Sequence, residues 1–424
     1  MANPGTAPEA TPLRALLAVT VLVGMSSGLA GMSLGLLLHF VQHVAYHYRI
    51  GPAAIVEASF LQGVIAARPI RRVTVMATCG LVAGIGWWAL HRFCRPLVGV
   101  GRAVATGARM PVLTSTLDAL LQIVTVAMGA PLGREGAPRE LGGAIAGWLS
   151  GRTGLTASDG RTMVACGAGA GLAAVYNVPL GGTLFVLEVL LRTFRFSAVV
   201  PALATSVIAA VVAWIGLGDE VQYTVAPFTV GRSLVVWSIV AGPIFGFAAY
   251  WFARLTTASR ARAPRDWRLL AWCPPTLLAI GLIAIPFPQV LGNGKGPTQL
   301  GFDSDIGVKL ATTLLVIKVL AIAASLRAGV AGGVLTPSVT IGALLAIVLG
   351  GIWSLAWPAV PSGAFAIVGA AAFLASSMRM PLTAIVLIIE LTGVRHDVWI
   401  PIVFAVAGSV AACRLMHGSG RPTS

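Results

Sequence analysis

The residues best suited to chemistry lie in the sequence GREG, where Arg134 and Glu135 stand between Gly133 and Gly136. The stretch around them, 128–143, begins an apolar segment in a chain that has only 14 acidic residues. A carboxylate in such surroundings is costly and often marks an ion or proton path. The glycines let the backbone approach a ligand, and a helix that begins here directs free N–H groups toward an anion.

A plainer interpretation of Glu135 is an acid in the first turn of a helix. Acids are favoured at that end by the helix dipole, and Glu135 could pair with Arg134 or with Arg139 one turn later. In the pair with Arg139 the acid is the N-terminal partner, which is the favourable orientation and would hold the carboxylate charged. Considered alone, the motif leaves both interpretations open.

A second motif, GGVLTP at 332–337, lies about 200 residues after the first. GREG and GGVLTP, in this order, resemble two signature motifs of the CLC family of chloride channels and proton-coupled chloride transporters. The similarity extends from about Leu16 to the C-terminus. It implies an all-α polytopic membrane protein with two homologous, inverted halves of tilted and broken helices. It also implies a homodimer in which each subunit has its own anion pathway.

The resemblance implies a role for each motif. Glu135 matches the family's gating glutamate, whose carboxylate competes with the anion and withdraws when protonated. In GGVLTP the anion would meet the backbone N–H groups of Val334 and Leu335, beside Gly333 and Thr336. Such groups suit chloride because they offer partial positive charges without a fixed cation that would trap the ion. The expected anion-binding set also includes Val100, Gly101, Arg134 and Gly136.

Several positions depart from the family pattern. The family has a glycine-serine-glycine turn whose hydroxyl contacts the anion, whereas GVGR places Val100 there. The family's C-terminal tyrosine has no counterpart, so selectivity would rest on backbone groups or on Thr336. The inner proton-relaying glutamate falls at Val189, next to Glu188, so Glu188 or water replaces it, or proton coupling is absent. The GREG segment also carries Arg139 and Glu140, where relatives have uncharged residues.

Composition excludes a water-soluble globule. The chain is 57% hydrophobic and 10% charged, with a mean hydropathy of +0.88, whereas a soluble surface needs roughly a quarter charged residues. We therefore expect a multi-pass integral protein of the bacterial inner membrane. Several apolar runs exceed the roughly 20 residues of one span, so they must tilt or break. The apolar runs cover 14–47, 73–91, 112–130, 160–216, 230–253, 268–290, 306–326, 338–378 and 381–415.

The net charge of +15 does not indicate nucleic-acid binding, because the arginines lie mainly between apolar runs. That placement is typical of positive-inside signals and lipid headgroup contacts. One cluster, expected in the cytosol, comprises Arg254, Arg260, Arg262, Arg265 and Arg268. A second, Arg68, Arg71 and Arg72, would lie on the opposite face if its flanking helices form a simple hairpin, so its side stays open.

An internal repeat predicts the organisation of the chain. Residues 167–180 align without gaps on 369–382, and each copy is followed by an apolar run that ends in a glutamate, Glu188 or Glu390. Such a repeat is typical of transporters with the ligand site at the interface of the halves. The predicted parts are a disordered tail at 1–13, repeats at 14–217 and 230–416, a connector at 218–229 and a short tail at 417–424. We expect no cytosolic regulatory domain.

Other charged and metal-ligating residues are interpreted more plainly. Lys318, inside an apolar run, would either raise the positive potential near an anion path or pair with a carboxylate. His39, His43 and His47 fall on one helix face without further ligands, which favours an interfacial polar face over a metal site. The five cysteines show no paired spacing. We expect no metal and no cofactor, only chloride or another monovalent anion as ligand.

The sequence thus predicts transport of chloride or similar small monovalent anions, gated by a protonatable Glu135. Two alternatives stay open: a proton-coupled exchanger in place of a passive channel, and a non-conducting scaffold or sensor of the same fold. A membrane-embedded enzyme is disfavoured, because the sequence has no HExxH, no GxSxG and no acid cluster. Expected partners are small anions, protons if transport is coupled, membrane lipid and a second copy of the chain.

Overall fold

The computed structural model describes residues 11–47, 60–357 and 360–418. Over these ranges the chain is helical and has no β-strand beyond an isolated antiparallel bridge. The α-helices are α1 Leu13–Tyr46, α2 Phe60–Ala66, α3 Pro69–Phe93, α4 Val100–Thr106, α5 Val112–Ala127, α6 Gly136–Ser150, α7 Ala157–Tyr176, α8 Pro179–Leu184, α9 Phe196–Leu217, α10 Arg232–Ala261, α11 Arg268–Ile283, α12 Lys295–Phe302, α13 Val308–Ala328, α14 Leu335–Trp353, α15 Ser362–Ser377, α16 Pro381–Thr392 and α17 Trp399–Gly418. A π-helical segment, Phe185–Leu190, continues α8, and 3₁₀ turns cover Pro288–Val290 and His396–Val398.

Within the described ranges, seven helices are long and apolar enough to cross a membrane: α1, α3, α9, α10, α13, α14 and α17. This confirms the prediction of a multi-pass integral membrane protein. The long apolar runs at 160–216, 338–378 and 381–415 each break into shorter helices, as their length required. Large apolar side chains such as Phe196 and Trp251 are exposed on the outer faces, where lipid would cover them.

The chain divides into two compact units, each discontinuous in sequence. The first comprises Met1–Gly35, Arg95–Ala119 and Pro138–Asp219, and in it α7 packs on α4, α8 and α9. The second comprises Leu36–Cys94, Leu120–Ala137 and Glu220–Ser424. In the second unit α10 packs on α15 and α17, α3 packs on α11, and α14 packs on α12, α13 and α15. These units follow spatial contacts, whereas the predicted repeats follow sequence similarity and stay a prediction.

The predicted tails lie mostly outside the described residues. Only 11–13 of the N-terminal segment and 417–418 of the C-terminal segment are described, and α1 already begins at Leu13. All of the predicted connector between the repeats, 218–229, lies outside the helices. It carries side chains that prove important for the site.

The aligned repeat segments share an unusual local backbone. Asn177 and Arg379, at equivalent positions of the alignment, are both left-handed with φ of 55°. The next residues also match, since Val178 has φ −130° and ψ 67° and Met380 has φ −139° and ψ 66°. In each copy a proline then begins the following helix, where its missing N–H costs nothing. The two copies therefore fold into the same turn, which supports the repeat alignment.

Arg71 and Arg72 bind the ends of neighbouring helices. Arg71 donates to the carbonyl oxygens of Val44 and Ala45, at N···O distances of 2.8 and 2.6 Å. Arg72 is buried, and its guanidinium donates to carbonyls near the ends of α2 and α11: those of Val64, Ile65, Ala284 and Ile285. The last carbonyls of a helix have no partner within it, so these arginines act as C-terminal caps.

Lys318 lies in the middle of α13 and is 1% exposed. Its ammonium group donates to the carbonyls of Val290 and Gly292, at 2.7 and 2.6 Å. The partners are therefore backbone oxygens and not the carboxylate that was one of the two partners considered from the sequence. The same turn is joined to the GREG segment, because the N–H of Gly292 donates to the carbonyl of Gly129 at 2.7 Å.

Candidate functional site

The two signature motifs meet in the second unit through their backbones. Each occupies a break before a helix, GREG before α6 and GGVLTP before α14. The N–H of Gly133 donates to the carbonyl of Gly333, and the N–H of Gly333 donates to the carbonyl of Gly133, both at 2.8 Å. This reciprocal pair fixes the two loops side by side and brings Glu135 to the first turn of α14.

Glu135 is completely buried, and its carboxylate faces the start of α14. Its Oε1 atom accepts a hydrogen bond from the N–H of Leu335 at 2.6 Å, and its Oε2 atom lies 3.4 Å from the hydroxyl of Thr336. The first N–H groups of a helix lack partners within it and carry the positive end of the helix dipole. The carboxylate thus occupies the place where a free anion would be stabilised.

Both motifs need glycine next to the buried side chains of the site. A Cβ atom at Gly133 or at Gly333 would overlap the carboxylate of Glu135. A Cβ atom at Gly136 would overlap the side-chain amide of the buried Gln122. The glycines therefore serve close approach to a side chain, as the sequence predicted for close approach to a ligand.

Arg134 is buried beside Glu135 but points toward the connector. Its Nη2 group donates to the side-chain oxygen of Gln222 at 3.0 Å. This partner could not be predicted from the sequence, because 88 residues separate the two and no periodicity relates them. Arg134 can therefore keep a positive charge near the carboxylate while the connector holds its guanidinium in place.

Tyr223, also in the connector, is a second residue that the sequence did not indicate. Its ring is buried, it packs edge-on against Phe302 at 5.3 Å, and its N–H donates to the carbonyl of Leu391. Burial raises the pKa of Tyr223; Arg134 and a hydrogen bond with Thr298 oppose the rise, and Glu135 adds to it. A neutral phenol thus lies within electrostatic reach of both GREG side chains.

Buried hydroxyl groups continue from this phenol to α14. Thr298 donates to the hydroxyl of Thr340 at 2.9 Å. The Thr340 hydroxyl lies 3.1 Å from two carbonyl oxygens, those of Gly294 and Thr336. These contacts join the glycine turn at 292–295, GNGK, to the first turns of α14 and add polarity next to Thr336.

Arg260, assigned by sequence to a cytosolic surface cluster, contacts the site loop directly. Its Nη2 group donates to the carbonyl of Gly332 at 2.7 Å. The bond orients the peptide that precedes Gly333 and places a guanidinium next to GGVLTP. A basic residue in the last turn of α10 can therefore serve the site as well as the topology of the chain.

Val100 and Gly101 lie in the first unit, at the start of α4. The N–H of Val100 donates to Oε2 of Glu140 at 3.0 Å, and the Val100 side chain is 5% exposed. Gly101 is exposed, and a Cβ atom there would meet open space. The family resemblance implies that this turn carries a serine and contacts the anion. Here its N–H group donates instead to the carboxylate of Glu140.

Arg139 and Glu188 also belong to the first unit. The guanidinium of Arg139 lies over the ring of Phe185, 5.2 Å from its centroid. Glu188 is half-buried within the π-helical segment, whereas its repeat counterpart Glu390 lies in a regular α-helix. A π-turn accommodates an extra residue and rotates the side chains after it. The position beside Val189 is therefore where the two repeats differ in backbone.

Comparison with known proteins agrees with this geometry. The model of the voltage gated chloride channel family, Voltage_CLC, matches residues 79–414. The voltage-gated ClC-type chloride channel ClcB of Salmonella typhimurium is 30% identical over 365 residues, which cover 83% of this chain and 86% of that protein. The H(+)/Cl(-) exchange transporter ClcA of Citrobacter koseri is 27% identical and covers 97% of this chain and 87% of its own length.

The fold has a counterpart among solved structures. The crystal structure of a slow cyanobacterial Cl-/H+ antiporter superposes with a TM-score of 0.82 at 20% identity, over 97% of this chain and 96% of that one. This likeness concerns the arrangement of the helices, while the family match rests on the sequence. The chain therefore belongs to the CLC family, that of the voltage gated chloride channels.

Proposed function

We propose that this protein carries chloride or a similar small monovalent anion across the membrane, through a pathway gated by the carboxylate of Glu135. The observation that supports this most directly is the hydrogen bond from the Leu335 N–H to that carboxylate. An ionised carboxylate and a chloride ion carry the same charge and compete for the same N–H groups. Only one of them occupies the start of α14 at a time.

The proposed cycle follows from this competition. Protonation removes the charge of Glu135 and weakens its bond to Leu335, because charge-assisted hydrogen bonds are about twice as strong as neutral ones. The side chain then withdraws and an anion binds the N–H groups of Val334 and Leu335, with the hydroxyl of Thr336 beside it. Gly133 and Gly333 leave the space in which the carboxylate lies, Gly136 leaves room for the side chain of Gln122, and Arg134 raises the local positive potential.

The turn at Val100 and Gly101 is the second proposed anion contact. Its N–H donor is already bonded to Glu140, and the valine side chain offers no hydroxyl. We therefore infer weaker discrimination among monovalent anions than in a pathway that has a free hydroxyl at this turn. Chloride or a related anion is the proposed ligand, and no cofactor or metal is needed for this function.

Whether protons move with the anion depends on an inner proton acceptor. The family's relay position is Val189, which cannot carry a proton, and this favours a passive channel or weak coupling. Glu188 is the alternative acceptor, since it carries a half-buried carboxylate next to that position. Named relatives include both a channel and an exchanger, so coupled exchange is the second candidate function.

Two further proposals accompany the transport function. The protein works as a homodimer in which each subunit has its own pathway, and it acts as a transporter and not as an enzyme. A non-conducting scaffold or sensor is the remaining alternative, and the missing hydroxyl at Val100 favours it. Net anion movement through the purified protein would exclude it.

Vesicles reconstituted with the purified protein and loaded with chloride test this function. An outward chloride gradient is imposed, and efflux is measured with and without a proton uncoupler. A passive channel gives chloride efflux that the uncoupler leaves unchanged when potassium and valinomycin clamp the voltage, whereas an exchanger drives proton uptake along with efflux. Efflux no faster than from protein-free vesicles would overturn both forms of the proposal.

A further inference from the structure

A cavity separate from the Glu135 region opens where α15, α16 and α17 come together in the second unit. Its volume is about 280 Å³. Apolar groups of Ala375, Pro381 and Val410 form part of its lining. The remaining lining residues are Ser376, Arg379, Cys413, Arg414 and His417, so it has basic side chains and no acidic one.

The backbone directs Arg379 to this cavity. Arg379 is the left-handed residue between α15 and α16, a conformation that is uncommon for a side chain other than Asn, Asp or Gly. Its guanidinium contacts the Nε2 atom of His417 on α17. Arg414 lies one turn before the end of the same helix and is exposed. The turn and the helix end thus place two guanidinium groups around one opening.

The state of His417 follows from its two partners. Its Nδ1 atom lies 2.8 Å from the carbonyl oxygen of Cys413, which can only accept, so Nδ1 carries the hydrogen. The Arg379 guanidinium can only donate, so Nε2 is the acceptor. Tyr250 packs against the ring edge-on at 4.9 Å. His417 thus orients the guanidinium of Arg379 toward the cavity.

We propose that this cavity binds the phosphate group of an anionic phospholipid through Arg379 and Arg414. Guanidinium groups match phosphate oxygens with pairs of hydrogen bonds, and two of them face one opening here. The apolar lining suits the glycerol and first methylene groups of a lipid, which a free inorganic anion would leave uncovered. The volume is close to the lower limit of small-ligand pockets, about 300 Å³, so it holds a headgroup and not whole acyl chains.

Native mass spectrometry of the full-length protein in detergent tests this proposal with two lipids, phosphatidylglycerol and phosphatidylcholine. The variants are Arg414→Gln and Arg379→Gln, and the matched control is Arg232→Gln, which removes an exposed charge at the start of α10. The wild type should bind phosphatidylglycerol more tightly than phosphatidylcholine. Each cavity variant should weaken phosphatidylglycerol binding about fivefold, and Arg232→Gln should leave it unchanged.

A competition with soluble glycerol phosphate distinguishes the source of the phosphate. Displacement of the lipid at millimolar concentration would show that the guanidinium groups bind phosphate from either source, and no displacement would show that the apolar lining is also required. Because Arg379 has a special backbone conformation, Arg414→Gln decides the outcome if the Arg379 variant does not fold. Equal phosphatidylglycerol affinity in the wild type and in a folded Arg414→Gln variant would overturn the proposal, as would equal binding of the two lipids by the wild type.

Discussion

The Oε1 atom of Glu135 lies 2.6 Å from the backbone nitrogen of Leu335, the first residue of α14. An acidic side chain of the first motif thereby caps the helix that the second motif begins. A buried carboxylate is stable only when it is hydrogen-bonded, and a helix N-terminus supplies both donors and a favourable dipole. The same donors are the groups that a dehydrated chloride ion requires.

The carboxylate of Glu135 leaves no room for a methyl group at Gly333. Gly333→Ala would place a Cβ atom on Glu135, so the carboxylate must leave Leu335 or the loops must separate. We expect chloride efflux from vesicles to change at least tenfold, which corresponds to about 1.4 kcal/mol. Gly307→Ala is the matched control, since a Cβ atom there meets open space. Wild-type efflux from a folded Gly333→Ala protein would remove this loop from the pathway.

Anion selectivity should depend on the contact between Val100 and Glu140. Glu140→Gln replaces the carboxylate that accepts from the Val100 N–H with a neutral amide. Val100→Ser adds a hydroxyl group to the same turn. Each change should strengthen chloride binding relative to nitrate, by about fivefold for one gained hydrogen bond of roughly 1 kcal/mol. The control Val104→Ser adds a hydroxyl to a buried position on the same short helix.

The measurement for this pair is the ratio of chloride to nitrate efflux from vesicles, with the double variant included. Because Glu140 accepts a hydrogen bond from the N–H of the residue that carries the other substitution, the two effects should not add. An unchanged ratio in both single variants would show that this turn does not face the anion.

The buried phenol of Tyr223 predicts a dependence of stability on alkaline pH. Burial raises its pKa, so the folded chain keeps the proton where an unfolded tyrosine begins to lose it, at about pH 10. The stability that results is present below that pH and is lost as the pH rises further. Melting temperatures of the wild type should therefore fall more steeply than those of Tyr223→Phe between about pH 9 and 11. Parallel curves would contradict the burial argument.

Removing the buried charge of Lys318 should destabilise the turn before α12. Lys318→Met leaves the carbonyls of Val290 and Gly292 without their donor, at a cost of about 1–3 kcal/mol for each unsatisfied group. Lys309→Met, at an exposed position of the same helix, should cost less than about 0.5 kcal/mol. Thermal unfolding in detergent compares the two variants, and equal melting temperatures would show that the buried charge contributes nothing.

Hydrophobic runs and glycine clusters predicted the membrane helices and their breaks, and the family resemblance implied the architecture. Run length required breaks in 160–216 and 338–378, and the structure has them. The π-helical segment Phe185–Leu190 was not predicted, because the composition of this run does not differ from that of an α-helix. Local composition reports burial and helix ends, but not the hydrogen-bond register within a helix.

Hydrogen bonds between residues far apart in the chain could not be predicted from the sequence. The motifs identified Glu135 and Leu335, but not that Gly133 and Gly333 would exchange backbone hydrogen bonds. The contact of Glu140 with the N–H of Val100 joins positions 40 residues apart, with no periodic signal between them. The sequence marked Glu140 only by its charge, because relatives have an uncharged residue at this position.

The pH dependence of chloride efflux in the wild type and in Glu135→Gln tests the gating role most directly. The glutamine keeps the shape of the side chain but removes the charge that competes with chloride at Leu335. Efflux from vesicles between about pH 4.5 and 7.5 should rise with acidity in the wild type and should be independent of pH in the variant. Identical pH profiles for the two proteins would contradict a gate at Glu135, even though the chain belongs to the CLC family.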